Sequence, residues 1–442
     1  MAARWLWTLA LAAMLAIAGG FARDRWHGST SALLDPAALR PWYGSANFAA
    51  AAAQADRDVA GAREGLARAP GEWVLGEQLA LKLIARWRLL GDYADLAEAD
   101  RLLAAGMGGT SGPAGPVVTE ATLAVLVHRL DRADAALARF ALSVMPESAD
   151  AADAAALAGD IALQRGDLAA ARKQYDLAVP LAPEAAGDVR LALLPALVGD
   201  HDRAIANLER IIAKPRHSPW TLASLMLRRA DLALQGGDWD GAARWTGAAQ
   251  RAFPSWWLAD VHAAQQFALA GRTADAIRAY EIVARRTGRP EVQDALAHLL
   301  RLEGQGAESR AWAAKAAAGW EARARLFPEA VIHHQAEHEL AVGSASRALA
   351  FAQADVAQRP QAPNLVLLAR ALLSAGRAPE ALAALDRADA QGWVSAGQQM
   401  ARAEVLAALG RTADSQAARA QAEAINPRAA DPRTRLIWFG HD

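Results

Sequence analysis

Apolar residues along this chain recur at helical rather than strand spacing, and the stretches that carry them are separated by a glycine followed by a polar residue. Gly91-Asp92-Tyr93, Gly166-Asp167-Leu168, Gly199-Asp200-His201, Gly237-Asp238-Trp239, Gly271-Arg272-Thr273, Gly376-Arg377-Ala378 and Gly410-Arg411-Thr412 each lie between two Ala/Leu-rich stretches of helical length. A glycine there supplies the left-handed residue that ends one helix, and an Asp or Thr just beyond it caps the amides of the next. The pentapeptide Gly-Arg-Thr-Ala-Asp occurs twice, at Gly271 to Asp275 and at Gly410 to Asp414. Successive turns lie 33 residues apart from Gly166 to Gly199, 38 to Gly237, 34 to Gly271, 33 from Gly343 to Gly376 and 34 to Gly410. Such a unit buries its apolar face only by stacking on its neighbours, so the pattern predicts an array that offers surface rather than an enclosed catalytic pocket.

The residues inside each unit follow the same logic. Between Ala156 and Pro183, Gly159 and Ala171 are expected to face each other as small residues, Tyr175 and Ala178 to lie on the packing face of the second helix, and Pro183 to stop it. The pattern returns at Ala230, Ala242, Ala249 and Pro254, at Ala264, Ala276, Tyr280 and Val283, and more weakly from Ala413 to Pro427. On these residues the chain closely resembles the tetratricopeptide repeat family over about Ala80 to Pro427. That resemblance implies an all-α fold, a right-handed α-solenoid of about nine to ten helix-turn-helix units, with protein or peptide binding as its general function. Leu126 to Pro146 is a degenerate unit with His128 where glycine is usual. The region around Gly306 lacks a terminal proline until Pro328, so a distortion is expected there.

Outside the array, Arg4 precedes the apolar run Trp5 to Leu15, and Ala16-Ile17-Ala18 before Gly19 has the small residues of a cleavage site, so residues 1–22 are expected to be a signal peptide. The alternative is an uncleaved anchor, since Trp5 to Ala22 just reaches a membrane-spanning length. Either way the remainder is expected to be exported, periplasmic or otherwise in the cell envelope, with possible membrane association through the N-terminal segment. Residues 23–47 have the composition of an extended spacer, 48–105 form N-terminal helical repeats, 106–116 a mobile Gly/Pro loop, and 117–427 the main solenoid. In the tail, 428–442, Leu436-Ile437-Trp438-Phe439 is expected to fold back as a cap over the apolar end of the array.

Charge and chemistry narrow the function. Lys+Arg 47 against Asp+Glu 48 leaves no basic excess for a phosphate backbone, so nucleic acid is not an expected partner. The chain has no cysteine, which removes disulfides, thiolate metal sites and a Cys nucleophile. No Gly-x-Ser-x-Gly elbow occurs, and the 106–116 loop has neither a Walker ending nor a preceding strand. Catalytic residues and cofactors are therefore not expected. One string has catalytic flavour: His334-Gln335-Ala336-Glu337-His338, whose two histidines share a helix face and could hold Zn²⁺ with Glu337 as a base. The alternative function is accordingly a metal-binding protein or metal-dependent hydrolase centred there. Against it stands a plain polar helix face continued by His333 and Glu339, since two ligands leave a tetrahedral site half filled.

Tryptophan, 15 residues, outnumbers tyrosine and phenylalanine together. Trp220, Trp256 and Trp257 are expected near the inner lining, and Trp239, Trp245 and Trp312 in the packing between repeats. The family resemblance puts ligands on the concave face built from first helices. By register that face includes Asp160, Leu163, Gln164, Asp231, Leu234, Gln235, Val261 and Gln265. Their mixture of polar and apolar groups suits an amphipathic peptide or helix, and the basic pair that would clamp a C-terminal carboxylate is missing.

Overall fold

The structure, a computed structural model, describes residues 34–182 and 187–440. The expected signal or anchor segment and the helix-stopping Pro183 lie outside the described residues. No helix among the described residues is long and apolar enough to cross a membrane. Contacts divide the chain into Met1–Leu39 and Arg40–Asp442. In the first, the described part is a short turn closed by Asp35, whose carboxylate accepts from the Ala37 amide. The second holds the whole array.

Among the described residues the chain forms 21 α-helices. A leading helix, α1 (Phe48–Arg68), packs on the first of ten antiparallel hairpins. Repeats 1 to 5 are α2 (Trp73–Leu90) with α3 (Tyr93–Gly108), α4 (Val117–Leu126) with α5 (Leu130–Phe140), α6 (Ser148–Gln164) with α7 (Leu168–Ala178), α8 (Gly187–Leu197) with α9 (His201–Ile212), and α10 (Pro219–Gln235) with α11 (Trp239–Ala252). Repeats 6 to 10 are α12 (Trp257–Leu269) with α13 (Thr273–Thr287), α14 (Pro290–Leu302) with α15 (Gly306–Ala324), α16 (Pro328–Val342) with α17 (Ala345–Gln358), α18 (Ala362–Ser374) with α19 (Ala378–Asp389), and α20 (Ala396–Ala408) with α21 (Thr412–Ile425). A short 3₁₀ turn, Pro432–Leu436, follows. This is an all-α repeat solenoid, as the sequence pattern predicts.

The turns show why the pattern works. Gly91, Gly166, Gly199, Gly237, Gly271, Gly376 and Gly410 all have φ between 72 and 85°, the left-handed region that costs other residues. Where Asp follows, its carboxylate accepts from an amide of the next helix, as Asp167 does from Ala170 and Asp238 from Gly241. The Gly-Arg turns differ from expectation. There Arg272 and Arg411 occupy the cap position without capping, and each guanidinium instead pairs with an aspartate three residues on, Asp275 or Asp414. In the degenerate second unit His128 itself takes the left-handed conformation, φ 61°, with its ring bonded to Gln164. The region around Gly306 is not distorted: Gly304, φ 76°, is the turn, and the second helix merely runs long to Ala324.

Core packing follows the small-residue logic with one change. Ala171 is fully buried, but Gly159 faces the ring of Tyr175, where a Cβ would come within 2.2 Å of ring carbon. Trp239, Trp245 and Trp312 are buried between repeats as expected. Trp256 is buried too, its ring 6.0 Å from that of Phe253, and so belongs to the core rather than the lining. The Gly/Pro segment is also more ordered in its contacts than a mobile loop: α3 runs through Gly106, and Arg139 donates to the carbonyls of Met107, Gly112 and Ala114 and to Thr110.

The array returns on itself after six repeats. The turn of repeat 1 meets the start of repeat 7, where Arg289 donates to the Leu90 carbonyl 199 residues away. At the turn of repeat 2, Arg129 lies 3.4 Å from Glu329 at the start of repeat 8. Gly166 in repeat 3 lies against Gln391, which donates to the Pro360 carbonyl before repeat 9. In repeat 4 the Leu197 carbonyl accepts from Val394 before repeat 10 at 2.9 Å. In repeat 5 the Leu234 carbonyl accepts from Asn426, after repeat 10, at 3.3 Å. A continuous apolar core joins the layers, with Val59, Leu79, Leu83 and Leu96 clustered against Trp320, Phe327 and Val331. Burying each such large side chain contributes about 1.5–3 kcal/mol. The spacer also ends in contacts: the Trp42 amide donates to the His217 carbonyl and the Phe48 amide to that of Pro254.

Candidate functional site

The proposed lining residues divide into two groups on first helices. In repeat 3, Asp160 accepts from Tyr175 Oη at 2.9 Å and from both arms of Arg190 at 2.6 Å, tying its helix to repeat 4. Burial, reinforced by the Asp160 carboxylate, raises the Tyr175 phenol well above its ordinary value. Leu163 packs at the edge of the Ala171–Tyr175 cluster, and Gln164 holds the His128 ring at 2.8 Å. Burial pushes His128 down to about 3, the nearby Arg359 charge adding to the effect, so the ring is neutral in the fold near pH 7.

In repeats 5 and 6 the sequence register needs correction. Leu234 and Val261 are core residues, 1% and 0% exposed, Val261 in an apolar cluster with Ala276 and Tyr280 of its own hairpin, so neither is presented on the surface as a lining residue. Gln265 is also fully buried, and what covers it is the chain's own C-terminus. The tail does not cap the end of the array as expected. It crosses the first helices of repeats 5, 6 and 7, because polar groups on those helices match its main chain. Gln265 Oε1 accepts from the Trp438 and Phe439 amides at 2.6 and 2.9 Å, while its Nε2 donates to the Phe439 carbonyl at 2.9 Å. His298 Nε2 bonds the Arg435 carbonyl at 2.9 Å, and Arg433 donates to the Leu269 carbonyl at 3.0 Å. The Phe439 ring sits 5.8 Å from His262 and 6.5 Å from Tyr280, and Trp438 sits 5.5 Å from His298. Asp231 lies 3.6 Å from His262 Nδ1 and touches Gly440. Burial lowers His262 and His298 from their ordinary values, against the opposing pull of Asp231 and of the Arg435 carbonyl respectively.

The histidine string is built differently from a metal centre. His338 Nδ1 is 2.5 Å from Asp294 Oδ1, whose other oxygen accepts from Trp320 Nε1 at 2.6 Å. His334 Nδ1 turns to Glu337 at 3.0 Å, its ring stacked on Trp320 at 5.0 Å. His333 bonds Asp355 at 2.9 Å. Among the described residues no group of three or more His, Cys, Asp or Glu is placed to hold a metal ion. The plain polar-face alternative also needs revision, because His338 and Glu339 are buried between repeats 7 and 8 rather than solvated.

No family model matches the chain, and no curated protein matches it either. Solved structures do. A tetratricopeptide repeat protein from Parabacteroides merdae is 13% identical, with 56% of this chain and 96% of that one covered and a TM-score of 0.35. Yeast Tom70 is 14% identical, covering 85% and 88%, with a TM-score of 0.40. PilW, a type IV pilus biogenesis factor, is 18% identical, covering 46% and 93%, with a TM-score of 0.31. At these scores the likenesses carry no argument about a partner, and the repeat assignment rests on the hairpins and their turns.

Proposed function

We propose that this chain, a solenoid of tetratricopeptide repeats, is a non-enzymatic module that binds a protein or peptide partner on the face made by its first helices, in assembly work at the cell envelope. The observation that carries this reading is the seated tail: a 3₁₀ turn and the irregular residues after it are held on α12 and α14 through main-chain hydrogen bonds and aromatic contacts, with Gly440 against Asp231 of α10. An array that grips its own segment through main chain this way has the chemistry to grip another. Asp160, Gln164, Asp231, Gln235 and Gln265 are the polar residues assigned to that face. The envelope location rests on Arg4, the apolar run Trp5 to Leu15 and Ala16-Ile17-Ala18.

The test is a crosslinking pull-down from envelope fractions with the parent and a Gln164→Ala/Gln235→Ala double variant. The reading expects a specific partner whose capture drops at least tenfold in the variant while helical content stays constant. Undiminished capture by the variant, or a mature chain that keeps Met1 in the cytoplasm, would overturn the corresponding part.

A further inference from the structure

The tail from Arg433 to Gly440 is held as a separate peptide would be. Three of its hydrogen bonds go to one buried side chain, Gln265, and all three engage main chain, so they serve any segment of the same backbone course. Side-chain selectivity comes from two neighbouring places. Phe439 lies between His262 and Tyr280, and Trp438 lies against His298. Beyond them the site favours glycine: Gly440 has φ 76°, and a Cβ there would fall 2.1 Å from Asp231 Oδ1, which would have to move. A segment that merely covered an apolar end would meet an apolar surface. Here the floor carries the buried His262 and Gln265 with the half-buried Asp231 and His298; burying such polar groups is costly unless they are partnered, and the tail's backbone supplies partners for Gln265 and His298.

We propose that this groove binds a partner segment of the same backbone course, bearing two adjacent aromatic residues followed by glycine, and that the C-terminal tail is its competitor in cis, released when such a segment binds. The proposal rests on the reading of the array as a binding module and names the ligand chemistry of that face. A tail tethered near Asn426 competes at an effective concentration on the order of millimolar, as short flexible linkers give. A partner's apparent affinity is then reduced by the fraction of chains whose groove is open.

The probe is a fluorescent peptide with the sequence of residues 433–440, titrated into three proteins: the full chain, a chain ending after Asp431, and full-length Trp438→Ala/Phe439→Ala. The last keeps the tail and its upstream contacts, so it reports even if truncation unfolds the array. Both freed forms should bind the probe at least tenfold more tightly than the full chain. Adding Gln265→Ala to a freed form, or placing alanine at the probe's glycine, should each cost at least tenfold. Equal binding by full and freed forms of unchanged helicity overturns the competition. A full-length dimer that dissociates on truncation makes a second copy the tail's seat and overturns the cis assignment. If no form binds the probe, the aromatic-glycine ligand is wrong. The binding-module reading then stands or falls separately, on whether the Gln164/Gln235 variant loses partner capture.

Discussion

Gly237→Ala and Gly376→Ala form a matched pair that isolates the contact between layers. Both glycines have nearly the same backbone, φ 81° and 75°, so alanine incurs the same left-handed cost, about 1–2 kcal/mol, at each. Around Gly376 nothing lies within 4 Å of the added Cβ. At Gly237 the new Cβ falls 2.5 Å from Asn426 Oδ1 and 3.4 Å from Pro427, on the segment that follows repeat 10. Asn426 is 6% exposed, bonds the Leu234 carbonyl at 3.3 Å and accepts from the Arg428 amide at 2.8 Å, so it cannot swing away without giving up those bonds. Each is worth about 1 kcal/mol. Gly237→Ala should therefore cost about 1–3 kcal/mol more than Gly376→Ala, with the excess arising from the two lost bonds and the displaced chain. Thermal melting of both variants gives the difference. Amide exchange then locates it: protection should fall from Asn426 through Phe439 in Gly237→Ala and stay at parent level there in Gly376→Ala, because damage in a solenoid remains near its neighbours. Equal destabilisation with identical exchange in that segment would refute the closure after six repeats.

Three further outcomes follow from the packing and the buried charges. Ala171→Leu should overpack a fully buried position beside Tyr175 and cost about 1–3 kcal/mol, visible as a lower melting point and faster proteolysis near repeat 3; an unchanged melt contradicts the register. At His338 burial lowers the pKa, but the bond and charge of Asp294, with Glu339, outweigh it and the net shift is upward from 6.5. Stability from that pair is therefore complete below about 6.5, the unfolded value, and fades as pH rises through the higher folded value. Denaturant midpoints measured across that window should fall with rising pH in the parent and flatten in His338→Gln; parallel slopes exclude the buried pair as the cause. Finally, Arg139→Ala should free the 109–116 segment, increasing proteolytic cutting there with little change elsewhere, and unchanged cutting would show that the Arg139 bonds do not hold it.

Much of the fold was legible because its determinants are local. A left-handed turn needs glycine and a helix start favours Asp, so Gly-Asp pairs at a regular period announce the hairpins. Gly304 carries no such signal, because Glu303-Gly304-Gln305 has no capping residue after the glycine, and at Arg272 and Arg411 the helix start is held by aspartates three residues on rather than by the adjacent Thr. The candidate site was harder, since its determinants are distant. Helical spacing puts His334 and His338 on one face, but whether that face meets solvent depends on Asp294, 44 residues earlier. Likewise the period marks Asp231 and Gln265 as first-helix residues, but the chain that covers Gln265 comes from 174 residues away. The apolar character of Leu436 to Phe439 predicts that the tail docks somewhere. The place is set by partners distant in sequence, Gln265 and His298 for its backbone and His262 and Tyr280 for Phe439.

The central claim is that partners are taken on the first-helix face, and position-specific photo-crosslinking in the native cell tests it most directly. A photoreactive residue is placed at Gln164 or Gln235 on first helices, and at Arg278 on second helix α13, where the side chain is 69% exposed. The account predicts one shared partner adduct from positions 164 and 235, strengthened when the tail is removed after Asp431, and little from position 278. Adducts to that partner from position 278, with none from 164 or 235, would contradict it.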